Sequence, residues 1–126
     1  MPPAIRVGDV AIDCDDVAAM TAFWSGVTGY AVQSGDETYG YLVDPAGRGP
    51  DLFLQQVPEP RVGKNRLHLD LVTDDLAAAT ESVLAMGGAK LRDSSGGPWL
   101  SAVFTDPEGN QFCVSQQAGD AEEAPG

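Results

Sequence analysis

The chain has 126 residues, enough for one domain whose core needs no disulfides. Nineteen Asp and Glu against seven Lys and Arg leave a net charge of −12, which argues against DNA, RNA or an anionic membrane as partner because the summed field repels phosphates. No apolar run is long enough for a membrane helix, MPPAIRVGDV lacks a signal-peptide pattern, and Cys14 and Cys113 make no disulfide framework. A cytoplasmic protein with two buried thiols is expected.

In chain order, Val10 to Cys14 alternates apolar and polar residues and predicts a strand with one buried face. Asp15 or Asp16 caps a helix running from Val17 to about Val27, with Val17, Met20, Phe23, Trp24 and Val27 at helical spacing and Gly29 as its stop. Strands follow at Tyr30 to Gln33, Tyr39 to Val43 and Leu52 to Gln56, the last two joined by the Asp44-Pro45-Ala46-Gly47 turn. Pro58, Pro60 and Gly63 mark a linker.

The pattern then repeats. DVAIDCDDVAAMTAFWSGVTG from Asp9 aligns without a gap on HLDLVTDDLAAATESVLAMGG from His68. Leu67 to Val72 is the second copy's first strand, Asp74 or Asp75 caps a helix from Leu76 to about Met86, and Gly87-Gly88 ends it. Strands follow at Ala89 to Arg92, Trp99 to Thr105 and Gln111 to Ser115, with Asp106-Pro107-Glu108-Gly109 as the matching turn. The fold class is α+β, two tandem βαβββ modules at about 6–57 and 64–117 within one domain, 1–117. Residues 118–126 read as an acidic, disordered tail.

Paired βαβββ modules, the DD-L-AA helix start, KNRLHLDL and DPEGNQFCV resemble the vicinal oxygen chelate superfamily, in particular its glyoxalase-like domain branch common in actinobacteria. That superfamily holds glyoxalase I, extradiol dioxygenases, fosfomycin-resistance enzymes and metal-free bleomycin-binding proteins. The resemblance covers roughly residues 6–117. It implies a cupped, mixed eight-stranded sheet around a cleft, both helices on the outer face, and a homodimer.

Alternation along each strand then separates core from cleft. Val10, Ile12, Leu42, Leu52, Leu54, Leu69, Leu71, Phe104, Phe112 and Val114 face the helices. Asp9, Ala11, Asp13, Tyr39, Tyr41, Phe53, Gln55, His68, Asp70, Ser101, Val103, Cys113 and Ser115 face the cleft, with Trp99 near its rim. His68, the single histidine, reads as a structural group paired with Asp9 or Asp70, as a ligand-binding or catalytic acid–base group, or as a metal ligand. Trp99 reads equally as a lid aromatic or as strand-end packing, and Tyr39 and Tyr41 as sheet filler or ligand platform. Trp24 reads as helix core, and Cys113 as an inert thiol. Arg61, Lys64 and Arg66 read as a solvated linker, or as an anion site at the cleft mouth.

Metal-using members of the superfamily carry four ligand positions, usually His, Glu, His and Glu. The resemblance carries these to Asp9, Phe53, His68 and Cys113. His68 alone matches, so no cofactor and no catalytic metal is expected; a divalent metal, if held, would fall to Asp9, His68 and Cys113. The expected function is binding of a small aromatic or natural-product-like molecule. The alternative is a lyase, isomerase or dioxygenase-like enzyme using His68.

Overall fold

The computed structural model describes residues 7–65 and 67–117; the acidic tail at 118–126 and Arg66 lie outside the described residues. The chain divides into two compact units, Met1–Arg61 and Val62–Gly126, and each repeats one βαβββ plan.

The first unit holds β1 (Asp9–Cys14), α1 (Val17–Thr28), β2 (Ala31–Gly35), β3 (Tyr39–Val43) and β4 (Asp51–Gln56). Its four-stranded sheet has the order β1-β4-β3-β2, with β1 parallel to β4 and the other pairs antiparallel. A parallel pair needs a long crossover, and α1 begins it. Asp16 caps α1, its carboxylate accepting from Ala19 N–H at 3.1 Å, and Gly29 ends it in the left-handed conformation at φ 77°. Val17, Met20, Phe23 and Trp24 are buried on α1, and Cys14, Leu42, Leu52 and Leu54 on the strands. Phe23 and Trp24 meet edge to face at 5.1 Å, so Trp24 is core, as its helical spacing implies.

The second unit holds β5 (Asp70–Val72), α2 (Leu76–Ala85), β6 (Ala89–Asp93), β7 (Trp99–Thr105) and β8 (Gln111–Gln117). The order β5-β8-β7-β6 and the single parallel pair, β5 with β8, repeat the first unit. Asp75 caps α2 through Ala78 N–H at 3.0 Å. Val83, Ala102, Phe104, Phe112 and Val114 are buried, with the rings of Phe104 and Phe112 stacked at 5.7 Å. One edge strand of each sheet is bulged, β2 between Val32 and Ser34 and β6 between Lys90 and Arg92.

Both acidic turns are built by their own aspartate. The Asp44 carboxylate accepts from the N–H groups of Ala46, Arg48 and Gly49 at 2.9, 3.1 and 3.3 Å, and these bonds to the charged form hold Asp44 below the usual carboxylate range. Asp106 accepts from Glu108 N–H, Asn110 N–H and the Asn110 side chain at 2.9–3.0 Å. These carboxylates are structural, as the turn pattern implies.

Element boundaries differ from the sequence reading by one or two residues, and by three at the start of β5. β5 starts at Asp70, not Leu67, because pairing with β8 begins at Cys113, whose N–H donates to Leu69 C=O at 2.9 Å. Upstream of that point an asparagine replaces the ladder. Asn65 Oδ1 accepts from Gln111 N–H at 2.8 Å, and Asn65 Nδ2 donates to the carbonyls of Gln111 and Leu67. Leu67 is left 88% exposed, and His68 lies just before the strand.

Helix and sheet of the first unit approach closely at Gly40 on β3, where an added Cβ would lie 2.4 Å from Thr21 Oγ1 of α1. Thr21 is β-branched and stiff, so it yields little. Gly40→Ala is expected to destabilise the fold by about 1–3 kcal/mol through overpacking. The Thr21 hydroxyl has no hydrogen-bond partner to lose. Adding Thr21→Ala to Gly40→Ala is therefore expected to recover most of the loss in thermal unfolding; two independent, additive losses would refute the contact.

Candidate functional site

The sheet face away from each helix carries residues that follow from the register; they are exposed or half-buried in the first unit, whereas Trp99, Ser101, Val103 and Ser115 of the second are buried. In the first unit β1 aligns Asp9 with Asp51, Ala11 with Phe53 and Asp13 with Gln55; β3 aligns Tyr41 with Phe53 and Tyr39 with Gln55. Phe53 is thus the centre of a small grid. Its ring stacks on Tyr39 at 5.8 Å and meets Tyr41 edge-on at 6.4 Å, while Ala11 on its other side leaves that flank low. Carboxylates border the aromatics. Tyr41 donates its hydroxyl to Asp51 Oδ2 at 2.8 Å, and Gln55 Nε2 donates to Asp13 Oδ1 at 2.8 Å. The bond to Asp51, then desolvation, then the charges of Asp51 and Asp9 push the Tyr41 phenol above its ordinary range.

In the second unit Asp70 and Cys113 are register partners, as are Val103 with Cys113 and Ser101 with Ser115. His68 stands two residues before Asp70, so extended chain returns it to the same face. His68 Nε2 lies 3.1 Å from Asp70 Oδ1, with the two side chains 42% and 60% exposed. One donor atom each from His68, Asp70 and Cys113 fall within 4.8 Å of one another. The thiol is not activated: burial raises the Cys113 pKa first, Asp70's charge and hydrogen bond add to it, and Arg92 and Lys64 offset it only in part. Ser101 and Ser115 are buried and share a hydroxyl–hydroxyl bond of 2.8 Å, and Trp99, 6% exposed, opens β7.

The candidates therefore fall into two sets: an aromatic set of Tyr39, Tyr41 and Phe53 with Asp9 and Gln55 in the first unit, and a polar set of His68, Asp70 and Cys113 with Ser101 and Trp99 in the second. Asp70, one of the two partners that the sequence reading allowed His68, lies in contact with it. Asp51 was not among the candidates. Its signal was its position two residues before Phe53, on the same strand face, in a segment read as loop.

The four metal positions implied by the resemblance do not suit a metal. Phe53 has no donor atom, and its ring is engaged with Tyr39 and Tyr41. The donor set of the second unit uses Asp70, outside those four positions.

Two four-stranded mixed sheets, each built from a βαβββ unit, are the architecture of the vicinal oxygen chelate superfamily. Within it, residues 9–115 match the model of the glyoxalase-like domain, and the chain belongs to that family. Solved structures agree on the fold. A glyoxalase/bleomycin resistance protein/dioxygenase family enzyme from Burkholderia phytofirmans is 20% identical, with 87% of this chain and 97% of that chain covered and a TM-score of 0.74. A glyoxalase/bleomycin resistance protein/dioxygenase from Nocardioides is 14% identical, with 99% and 91% covered and a TM-score of 0.73. The fosfomycin resistance protein FosX from Mesorhizobium loti is 15% identical, with 94% and 95% covered and a TM-score of 0.70. No curated protein matches the sequence.

Cys113 supplies a direct test of the polar set. Cys14 is buried, so alkylation by iodoacetamide should report Cys113. Labelling is expected to be slow at neutral pH and to accelerate only above the ordinary thiol range, because the thiolate is the reactive form. Asp70→Asn should shift that pH profile downward, since it removes a charge opposing ionisation; an unmoved profile would separate Asp70 from Cys113.

Proposed function

We propose that this glyoxalase-like domain binds a small aromatic, natural-product-like molecule and works without a catalytic metal. The observation that carries the reading is the Tyr39–Phe53–Tyr41 group, three rings on the sheet face turned away from α1. Rings needed only as core would be buried on the helix side of the sheet, as Phe104 and Phe112 are in the second unit. A face of rings edged by polar groups is the usual composition of a ligand site. Its role in this reading is sequestration of the ligand, on a fold shared with proteins named for bleomycin and fosfomycin resistance. A single domain acting as a homodimer in the cytoplasm completes the reading, and no described helix is long and apolar enough to cross a membrane.

An aromatic and antibiotic panel titrated against tryptophan and ligand fluorescence is expected to yield micromolar binders. Phe53→Leu, which keeps apolar bulk but removes the ring, should weaken them about tenfold. A panel without a single binder would refute the binding role.

The contact of His68 with Asp70 favours a second reading, an acid–base enzyme in which His68 carries the proton and Asp70 orients the ring. His68→Ala should then abolish turnover of a substrate while leaving aromatic binding intact. Elemental mass spectrometry on untagged protein prepared without chelator is expected to find no stoichiometric transition metal. One metal per chain would overturn the metal-free reading and direct attention to His68, Asp70 and Cys113.

A further inference from the structure

The aromatic face carries an electrostatic signature that binding of aromatics alone does not require. Asp9 and Asp51 are direct partners on adjacent parallel strands, at one end of the Phe53 grid, and Asp13 stands at the other end. Like charges directly opposite one another destabilise a sheet. Among the described residues no Lys or Arg forms an ion pair with Asp9, Asp13 or Asp51. Among the described residues, the side chain bonded to the Asp51 carboxylate is the neutral hydroxyl of Tyr41, and the one bonded to Asp13 is the neutral amide of Gln55. Asp9 and Asp51 are thus register partners beside the Phe53 ring, with no countercharge paired to either among the described residues, and the side chain next to that ring is the methyl of Ala11.

We propose that this face selects a cationic planar ligand, its ring system laid on Phe53 over Ala11 and its positive charge held between Asp9 and Asp51. The inference rests on the aromatic-binding reading above and adds the ligand's charge. Each part of the site contributes a distinct attraction. The ring faces carry negative quadrupole charge and attract a cation laid over them. The carboxylate pair adds Coulomb attraction and is itself relieved of repulsion when the cation arrives. Ala11 leaves a ring's thickness of space where a larger residue would cover Phe53. The field of both carboxylates reaches the aromatics, since Asp51 and Asp9 each raise the Tyr41 pKa.

Three probes of one ring shape separate charge from shape: 10-methylacridinium, a permanent cation; acridine, neutral at mildly alkaline pH; and acridine-9-carboxylate, an anion there. Calorimetric titration of the full chain is expected to rank them in that order, the cation about tenfold tighter than the neutral ring. Phe53→Leu should weaken all three. The double variant Asp9→Asn, Asp51→Asn should remove the preference for the cation while acridine binds as before. The pair Asp74→Asn, Glu81→Gln on the second unit removes the same charge from the surface and should leave the preference intact. Equal affinity for the three probes would overturn the inference while leaving the aromatic-binding reading in place. So would a preference lost equally in both double variants, which would assign it to the net charge of the protein. Failure of all three probes to bind would overturn both.

Discussion

Everything at the site depends on one constraint, the parallel pairing of the first and last strand in each unit. A parallel pair cannot be joined by a tight turn, so the chain must leave the sheet, and the helix that starts the crossover covers one face. The other face is left for function. Pairing β1 with β4 sets Asp9, Ala11 and Asp13 beside Asp51, Phe53 and Gln55, and pairing β5 with β8 sets Asp70 beside Cys113. A one-residue slip in either pair would turn these side chains toward the helix. The site is thus as precise as the register, and the register is held by buried Leu52, Leu54, Phe112 and Val114 on the opposite face.

The two units put the same frame to different uses. In the first, the open face is aromatic and acidic, with Phe53 at its centre. In the second it is polar, with a histidine–carboxylate contact, a thiol made less acidic by burial and by Asp70, and a buried serine pair. Divergence on the open faces, with the caps and turns of the frame kept alike, is what a duplicated scaffold permits. Caps and turns hold each unit together, while the open faces carry little of that load. Phe53 occupies one of the four positions that the resemblance assigns to metal ligands, and its engagement with Tyr39 and Tyr41 converts a coordination position into a stacking surface.

The sequence by itself determined the repeat, the α+β class, the helix caps and the turns. These are local properties: a carboxylate two to five residues from the N–H groups it satisfies, a glycine where φ is positive, and apolar spacing of 2 or 3.6. It also separated the two faces of six of the eight strands, β2 and β6 excepted, because alternation is local too. Tertiary structure alone decided what lies beside what. That Asp51 opposes Asp9 follows from a register across about forty residues of chain, and that His68 meets Asp70 follows from where pairing with β8 begins. The start of β5 at Asp70 was hidden for the same reason: alternation runs back to Leu67, but the hydrogen bonds there belong to the side chain of Asn65. Periodicity reports which face a residue can occupy, and only long-range pairing selects its neighbours.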